Sequence, residues 1–237
     1  MRLPVFADVD TGVDDAFALV YLLASADADL VGIASTGGNV DVDQVCRNNL
    51  SLLQLCGATG VPVSCGSPSR SPRRCAAAEV FDAWGRASEA NDVVAKQLPI
   101  VCALNLTENV VMTPEIMARL AEAAGSTALD VNPLIRVLSD AMRFYFEFHE
   151  SQGEGYPAHL HDPVAAAVAL DPGLIWTRSA TVGVELDGTL TRGMTVADWS
   201  GFWGRKPNAR VGVELDPAVF FERFIERVAP FARRVHS

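Results

Sequence analysis

The chain has 237 residues, of which 49% are apolar and 20% are charged, and its formal net charge is −10. This composition is typical of a folded globular protein and excludes a disordered chain. The acidic charge, together with the lack of a basic run, excludes nucleic acid and anionic membranes as partners. A small ligand or a cation fits the sequence better.

The cysteines and the first residues bear on the cellular compartment. The five cysteines are odd in number, follow no zinc-binding spacing and often have apolar neighbours. We therefore expect buried free thiols in a reducing compartment. The chain opens on a predicted strand without the layout of a signal peptide, and the apolar stretch 16–24 is too short to span a bilayer. These features predict a cytoplasmic protein.

Predicted strands and helices alternate through the N-terminal part of the chain. In chain order they are expected at Val5–Asp8, 14–24, Leu30–Thr36, 42–55 and 61–63. Such alternation predicts α/β architecture, with an open, mostly parallel sheet flanked by helices around a Rossmann-like core. Ligands bind beyond the carboxyl ends of the strands in such sheets. Asp8, Asp10 and residues 37–39 are predicted to lie there.

The C-terminal part is predicted to be richer in helices. The sequence predicts neither a strand nor a helix from Gly66 to Arg74, where serine, proline and arginine dominate. The later elements are expected at 76–95 (helix), 100–104 (strand), 114–124 and 133–150 (helices), 180–185 and 209–214 (strands) and 217–231 (helix). A further helix is expected to begin at His161-Asp162-Pro163, with Asp162 as its cap and Pro163 in its first turn. His159 is interpreted as an exposed loop histidine.

Four carboxylates fall within eight positions between Asp8 and Asp15. Asp8 and Asp10 share one face of a strand end, because side chains alternate along a strand. Gly12 allows a sharp turn, after which Asp14 and Asp15 begin a helix. Converging carboxylates repel one another unless a cation joins them, and all-oxygen ligation favours calcium or magnesium. A set of solvated acidic side chains around a helix start is the alternative.

A second alternative is the haloacid-dehalogenase phosphatases, which also begin with Asp-x-Asp at a strand end. Their motif continues with an apolar residue after the threonine and needs a downstream lysine before an acidic pair. Here Gly12 follows Thr11, and neither Lys96 nor Lys206 has that context. A magnesium-dependent phosphatase with Asp8 as nucleophile is therefore the weaker hypothesis.

Two motifs carry a specific resemblance. The segment Asp8–Ala16 resembles the Asp-x-Asp-x-Gly-x-Asp-Asp-Ala signature of the inosine–uridine-preferring nucleoside hydrolases, and His161-Asp162-Pro163 resembles their late His-Asp-Pro block. Further blocks follow the family's order at 31–40, 47–50, 104–108 (where Asn105 replaces the usual aspartate), 192–196 and Asn208. The chain is identified as a member of this family over most of its length.

The resemblance implies a reaction and a metal site. The reaction is hydrolysis of the N-glycosidic bond of a ribonucleoside, giving ribose and a free nucleobase. The implied cofactor is Ca²⁺, with Asp10, Asp15 and Asp162 as side-chain ligands. Asp10 is also implied to act as general base on a calcium-bound water, which the metal makes easier to deprotonate.

The resemblance also implies how the substrate is held. Asp14 and Asn39 are implied to bind the ribose, and His161 is implied to lie near the leaving base as an acid. Glu79 either contributes to the sugar contact or is simply an acidic residue at the start of a helix. The expected partner is a small-molecule nucleoside. We also expect a homo-oligomer.

This chain departs from the family in length. Family members carry extra residues between the third strand and the helix near Glu79, so we expect an internal deletion near 67–75 within a single shortened domain spanning 1–237. The family takes a backbone-carbonyl metal ligand, a base-side histidine and a sugar-binding asparagine from that stretch. In addition, Phe81 occupies the place of a ribose-binding asparagine. A catalytically impaired relative that binds calcium or a ribosyl ligand without turnover is therefore an open alternative.

Overall fold

A computed structural model describes residues 1–66 and 98–236. The chain divides into two compact units, the first built from residues 1–66, 104–174 and 215–236 and the second from residues 98–103 and 175–214. The helix expected over 76–95, with Glu79 and Phe81, lies outside the described residues. So do Cys75 and the expected deletion near 67–75.

Strands are short in both units. In chain order they are β1 (Leu3–Val9), β2 (Ala28–Ser35), β3 (Val63–Cys65), β4 (Ile100–Val101), β5 (Val111–Met112), β6 (Ala158–His159), β7 (Ile175–Val184), β8 (Thr195–Asp198) and β9 (Ala209–Leu215). The first unit contains a parallel sheet of order β1-β2-β3 and an antiparallel β5-β6 pair. The second contains a sheet of order β4-β9-β7-β8, in which β4 and β9 are parallel and β7 and β8 antiparallel.

Among the residues that the structure describes, all the helices longer than one turn lie in the first unit. The helices are α1 (Val13–Ala24), α2 (Val42–Leu55), α3 (Leu104–Thr107), α4 (Pro114–Ala123), α5 (Pro133–Ser151), α6 (Asp162–Leu170) and α7 (Pro217–His236), with a 3₁₀ turn at Pro172–Leu174. Within the described ranges, no helix combines the length and the apolar character needed to cross a membrane.

The core of the first unit forms around α1. Phe17 and Tyr21 are fully buried, and both rings stack on Phe224 of α7, with centroid separations of 5.9 and 5.7 Å. Such pairs combine a large apolar surface with a preferred ring geometry. They fix the axis of α1, and therefore the place where its first turn follows the end of β1.

Several predicted boundaries are wrong for identifiable reasons. The third strand begins at Val63, two residues later than expected, because Pro62 has no N–H to donate and instead accepts from the Ile33 N–H through its carbonyl, at 2.9 Å. The strand expected over 100–104 ends at Val101. Leu104 starts α3 instead, whose turn is closed by the Glu108 N–H donating to the Leu104 carbonyl at 2.8 Å.

The cysteines also differ from expectation. Cys46 of α2 and Cys65 of β3 form a disulfide, with their Cα atoms 6.0 Å apart, so the prediction that the cysteines are free thiols is wrong for this pair. Cys56 and Cys102 are free, and burial raises the pKa of their thiols to about 12 and about 11. Neither thiol is therefore ionised near neutral pH.

Asn132 provides a test of the helix packing. Its Oδ1 accepts from the N–H groups of Leu134 and Ile135 at the start of α5, while its Nδ2 donates to the Ala232 carbonyl of α7 at 2.7 Å. We expect Asn132→Ala to lower the free energy of unfolding by about 2–4 kcal/mol, because it removes a helix cap and a buried hydrogen bond between two helices. Urea unfolding measures this change.

The matched control is Asp41→Ala at the exposed N-cap of α2, where one hydrogen bond to the Gln44 N–H is lost. It should cost about 1 kcal/mol. Equal losses in the two variants would show that the link from Asn132 to α7 contributes nothing.

Candidate active site

Three carboxylates meet where two helices begin. Asp14 and Asp15 lie in the first turn of α1, and Asp162 is the first residue of α6, which packs against α1. One oxygen from each carboxylate lies within 4.8 Å of the other two. Asp15 is 3% exposed and the other two are half-buried. The fold thus joins two acidic blocks that are far apart in the sequence, and we call these three residues the acidic group.

The acidic group is electrostatically strained. Burial, which is the largest cause, and the negative charges of Asp14 and Asp15 together raise the pKa of Asp162 to about 8. Burial also raises the pKa of Asp15 to about 6, although the Gly12 N–H donates to its Oδ2 at 2.8 Å and opposes this shift. Either protons or a cation must offset this concentration of charge.

Asp10 lies beside the acidic group but outside it. Its Oδ2 accepts from the backbone N–H of Asn39 at 2.7 Å, and its charge contributes to the raised pKa values of Asp15 and Asp162. Gly38 leaves the space that this carboxylate occupies, since a Cβ at that position would lie 1.5 Å from Asp10 Oδ2. The turn after β2 therefore positions Asp10 in two ways. The Asn39 N–H donates to its carboxylate, and Gly38, which has no side chain, leaves the space that the carboxylate needs.

The loop between β1 and α1 is held by a buried polar network that the sequence did not reveal. The Thr11 hydroxyl donates to Asn49 Oδ1 at 2.6 Å, and Asn49 Nδ2 donates to the Ser35 hydroxyl at 3.0 Å. Asn48 Nδ2 also donates to the Thr11 carbonyl, at 3.1 Å. The sequence contains one indication of this network: Asn49 is a polar residue on the apolar face of α2, one turn after Val45. A buried amide needs partners, and here they tie α2 to the loop.

His161 precedes the acidic residue of α6. Its Nδ1 is 2.7 Å from the Thr107 hydroxyl of α3, which fixes the ring. Burial lowers the pKa of His161, with Asp14 acting in the opposite direction, so the neutral ring is favoured at pH 7. His161 occupies the N-cap position and Asp162 is the first helical residue, so the predicted capping role of Asp162 is wrong.

Aromatic side chains continue from His161 towards α5. His159 is half-buried in β6, with its Nδ1 2.8 Å from the Glu108 carbonyl, so its interpretation as an exposed loop residue is wrong. Its ring lies 6.2 Å from that of His161 and 5.4 Å from that of His149, which in turn lies 4.9 Å from Tyr145. Burial and the charges of nearby carboxylates raise the pKa of Tyr145 to about 12, so its phenol stays neutral.

The remaining predicted residues are placed as follows. Asn39 is exposed after β2, and its side chain occupies the space beside Gly12, where a Cβ would lie 2.5 Å from Asn39 Nδ2. Asp8 is exposed on β1 and does not belong to the acidic group. The first unit therefore contains every predicted site residue that the structure describes.

Comparison with known proteins identifies the class. The fold is that of a nucleoside hydrolase. The family model described as inosine-uridine preferring nucleoside hydrolase matches residues 5–87 and 75–222, and the chain belongs to this family. The match falls in two segments that overlap only at 75–87.

Individual relatives agree with this assignment. The chain is 29% identical to the pyrimidine-specific ribonucleoside hydrolase RihA of Citrobacter koseri and 28% identical to that of Escherichia coli O7:K1, over 98% of the chain and 100% of each relative. The first alignment spans 311 positions, more than the 237 residues of the chain.

Solved structures confirm the predicted α/β fold. A plant nucleoside hydrolase, PpNRh1, has a TM-score of 0.77 at 19% identity, covering 97% of this chain and 99% of its own. A purine-preferring ribonucleoside hydrolase from Gardnerella vaginalis has a TM-score of 0.74 at 21% identity, covering 98% of this chain and 100% of its own.

The raised pKa values predict how stability depends on pH without a divalent cation. The folded protein retains protons on Asp162 up to about pH 8 and on Asp15 up to about pH 6, whereas the ordinary value is 3.8. Stability from these protons is present at low pH and lost as pH rises. We expect the Tm of chelator-treated protein to fall between about pH 4 and pH 8, and Asp162→Asn to flatten that fall.

Thermal melts at a series of pH values test this, with Asp29→Asn on the exposed face of β2 as the matched control. Calcium should raise the Tm more at pH 8 than at pH 5, because it replaces protons. Identical pH profiles for Asp162→Asn and the unaltered protein would contradict the assignment.

Gly38→Ala should displace the Asp10 carboxylate, because the new Cβ would overlap its Oδ2. We expect calcium affinity, measured by isothermal titration calorimetry, to fall by about 10–100-fold. The control is Gly37→Ala, whose Cβ would make only ordinary contacts, the nearest at 3.7 Å. Equal affinities in the two variants would show that the position of Asp10 does not matter for the cation.

Proposed function

We propose that this chain is a calcium-dependent ribonucleoside hydrolase that cleaves the N-glycosidic bond and releases ribose and a free nucleobase. The observation that carries the proposal is the acidic group, which the fold assembles from two distant blocks at the start of two helices. Burial raises the pKa values of Asp15 and Asp162 there, and a bound cation would relieve that strain. Family membership supplies the reaction class.

The donor set fits calcium. The carboxylates that converge at this place offer only oxygen atoms, which suit a hard divalent ion. We assign Asp10, Asp15 and Asp162 as the side chains that hold the ion. When bound, calcium supplies positive charge that offsets the carboxylates and lowers the pKa of a nearby water.

Asp10 is assigned as the general base. The Asn39 N–H engages its Oδ2, which leaves Oδ1 to accept the proton of the attacking water. We assign Asp14 and the Asn39 side chain to the ribose hydroxyls. Both follow the carboxyl ends of β1 and β2, where ligands bind in parallel sheets.

Two further features support bond cleavage. The Thr107 hydroxyl occupies Nδ1 of His161, so Nε2 is the ring atom assigned to donate to the departing base. Burial lowers the pKa of His161 and favours the neutral ring, so with its single proton on Nε2 the side chain would donate a hydrogen bond to the base and not a full proton. Loss of the base leaves an oxocarbenium-like sugar, whose positive charge the nearby carboxylates stabilise.

A ribose-release assay tests the proposal, with inosine, uridine and adenosine as substrates, in calcium and in chelator. We expect turnover that chelator abolishes and that Asp10→Asn reduces by about 10²–10⁴-fold, because the general base is lost. Asp29→Asn, an exposed carboxylate on β2, is the matched control and should retain activity.

Asp14→Asn separates the two roles open to that residue. If Asp14 binds the ribose, Asp14→Asn should raise KM and leave the calcium affinity unchanged. If the substitution instead lowers the calcium affinity, Asp14 is a metal ligand, which its place in the acidic group also permits. Turnover that persists in chelator would exclude the calcium mechanism.

One observation favours a second candidate function. The alignment with the relatives is longer than the chain, and the family match falls in two segments. Both observations support our proposal that the chain is a single shortened domain, which lacks part of the family's sugar pocket near 67–75. An impaired relative would bind calcium without releasing ribose. Folded, calcium-loaded protein that gives no turnover on any of the three nucleosides would establish this alternative.

A further inference from the structure

The disulfide closes a ring of contacts among α2, β2 and β3. Cys46 and Asn49 lie three residues apart on the buried face of α2, and Asn49 Nδ2 donates to the Ser35 hydroxyl of β2 at 3.0 Å. Ser35 is the register partner of Cys65 in β3, and the Gly66 N–H donates to the Ser35 carbonyl at 2.9 Å. The disulfide then leads from Cys65 back to Cys46. We call the four residues Cys46, Asn49, Ser35 and Cys65 the clasp.

The clasp holds the loop that carries Asp10. The Thr11 hydroxyl donates to Asn49 Oδ1 at 2.6 Å, so one amide belongs both to the clasp and to this loop. Thr11 is 3% exposed and Asn49 0%, so a broken hydrogen bond here would leave buried polar groups without partners. A small separation of α2 from β2 would break both bonds of the amide. The disulfide is the member of the clasp that chemistry outside the protein can make or break.

The two bonded cysteines differ in exposure. Cys65 is exposed, whereas Cys46 is 5% exposed. A thiolate that arrives from solvent therefore reaches the sulfur of Cys65. Burial raises the thiol pKa of Cys56 and Cys102 to about 12 and about 11, so these two thiols stay protonated and do not compete in the exchange.

We propose that Cys46 and Cys65 form a reversible redox site, at which a dithiol opens the clasp and the disulfide form of that dithiol closes it. One thiolate of the dithiol attacks Cys65 Sγ, the bond to Cys46 Sγ breaks, and Cys46 leaves as a thiolate that takes up a proton. The second thiolate of the dithiol then displaces Cys65 from the mixed disulfide, and Cys65 takes up a proton in turn. The dithiol loses two electrons and two protons, and the two cysteines gain them.

Opening the clasp has two effects on the candidate site. The first is a looser loop at Thr11, which involves only the chain's own residues and needs no ion. The second is weaker calcium binding, because Asp10 is then held less firmly. This second effect rests on the function proposed above. Residues that position a metal ligand change metal affinity by about 10–100-fold. The oxidised protein is thus the form with the higher calcium affinity.

Hydrogen exchange in chelator tests the first effect. Mass spectrometry compares the oxidised protein with protein reduced by dithiothreitol, and thiol titration verifies that two thiols are gained. We expect peptides that span 8–16 to exchange about 2–10-fold faster after reduction, since the contribution of one hydrogen bond is lost. Peptides from α4 should be unchanged. Treatment with oxidised dithiothreitol should restore slow exchange.

Isothermal titration calorimetry on the same two forms tests the second effect, and calcium affinity should fall by about 10–100-fold on reduction. The matched control is Cys46→Ser with Cys65→Ser, which should show the weaker affinity with and without dithiothreitol, because its remaining thiols do not respond. Circular dichroism checks that every form is folded, and the unaltered protein in its two redox states provides the test without any substitution.

The outcomes separate this proposal from the proposed function. Equal exchange at 8–16 in the two redox states would overturn the redox site, and so would reduction that unfolds the whole protein, because the disulfide would then be a purely structural bond. Faster exchange at 8–16 in protein that binds no calcium in either state would support the redox site and overturn the calcium site.

Discussion

Repulsion among buried carboxylates is the constraint on which this site depends. Asp14, Asp15 and Asp162 are drawn together within 4.8 Å although burial disfavours the ionised forms of Asp15 and Asp162. The N-termini of α1 and α6 meet there, and their partial positive charge offsets part of the repulsion. The remaining repulsion must be offset by bound protons or by a cation. The packing of α6 against α1 resists the tendency of the two helix starts to separate.

The neighbouring Asp10 is positioned by groups that carry no charge. The chain of hydrogen bonds through Thr11, Asn49 and Ser35 is buried and pins the loop after β1 to both α2 and β2. Gly12 and Gly38 leave space for the side chains of Asn39 and Asp10. Such a frame holds a carboxylate in place before any ligand arrives, which removes the need for rearrangement during the reaction.

The sequence predicted what local patterns determine. Helices α1, α2, α4 and α5 have clear apolar periodicity and polar or proline starts, and the structure confirms them close to their expected bounds. The hairpin strand β8 was missed, because its residues are mostly exposed and lack an apolar face. The hydrogen bond between Thr107 and His161 joins residues 54 positions apart, and no local pattern encodes it. The acidic residues could be found because ligand chemistry restricts the side-chain types, whereas their supporting partners are ordinary polar residues.

The disulfide between Cys46 and Cys65 changes how β3 can be ordered. This strand has three residues and, within the part of the chain that the structure describes, pairs with β2 alone, so its own hydrogen bonds hold it weakly. The covalent bond closes a loop of 19 residues in the unfolded chain, which lowers the entropy of that state by an amount equivalent to about 3 kcal/mol. In the unfolded but oxidised chain, the residues of β3 consequently stay within a small volume around α2 and do not sample the whole sheet edge.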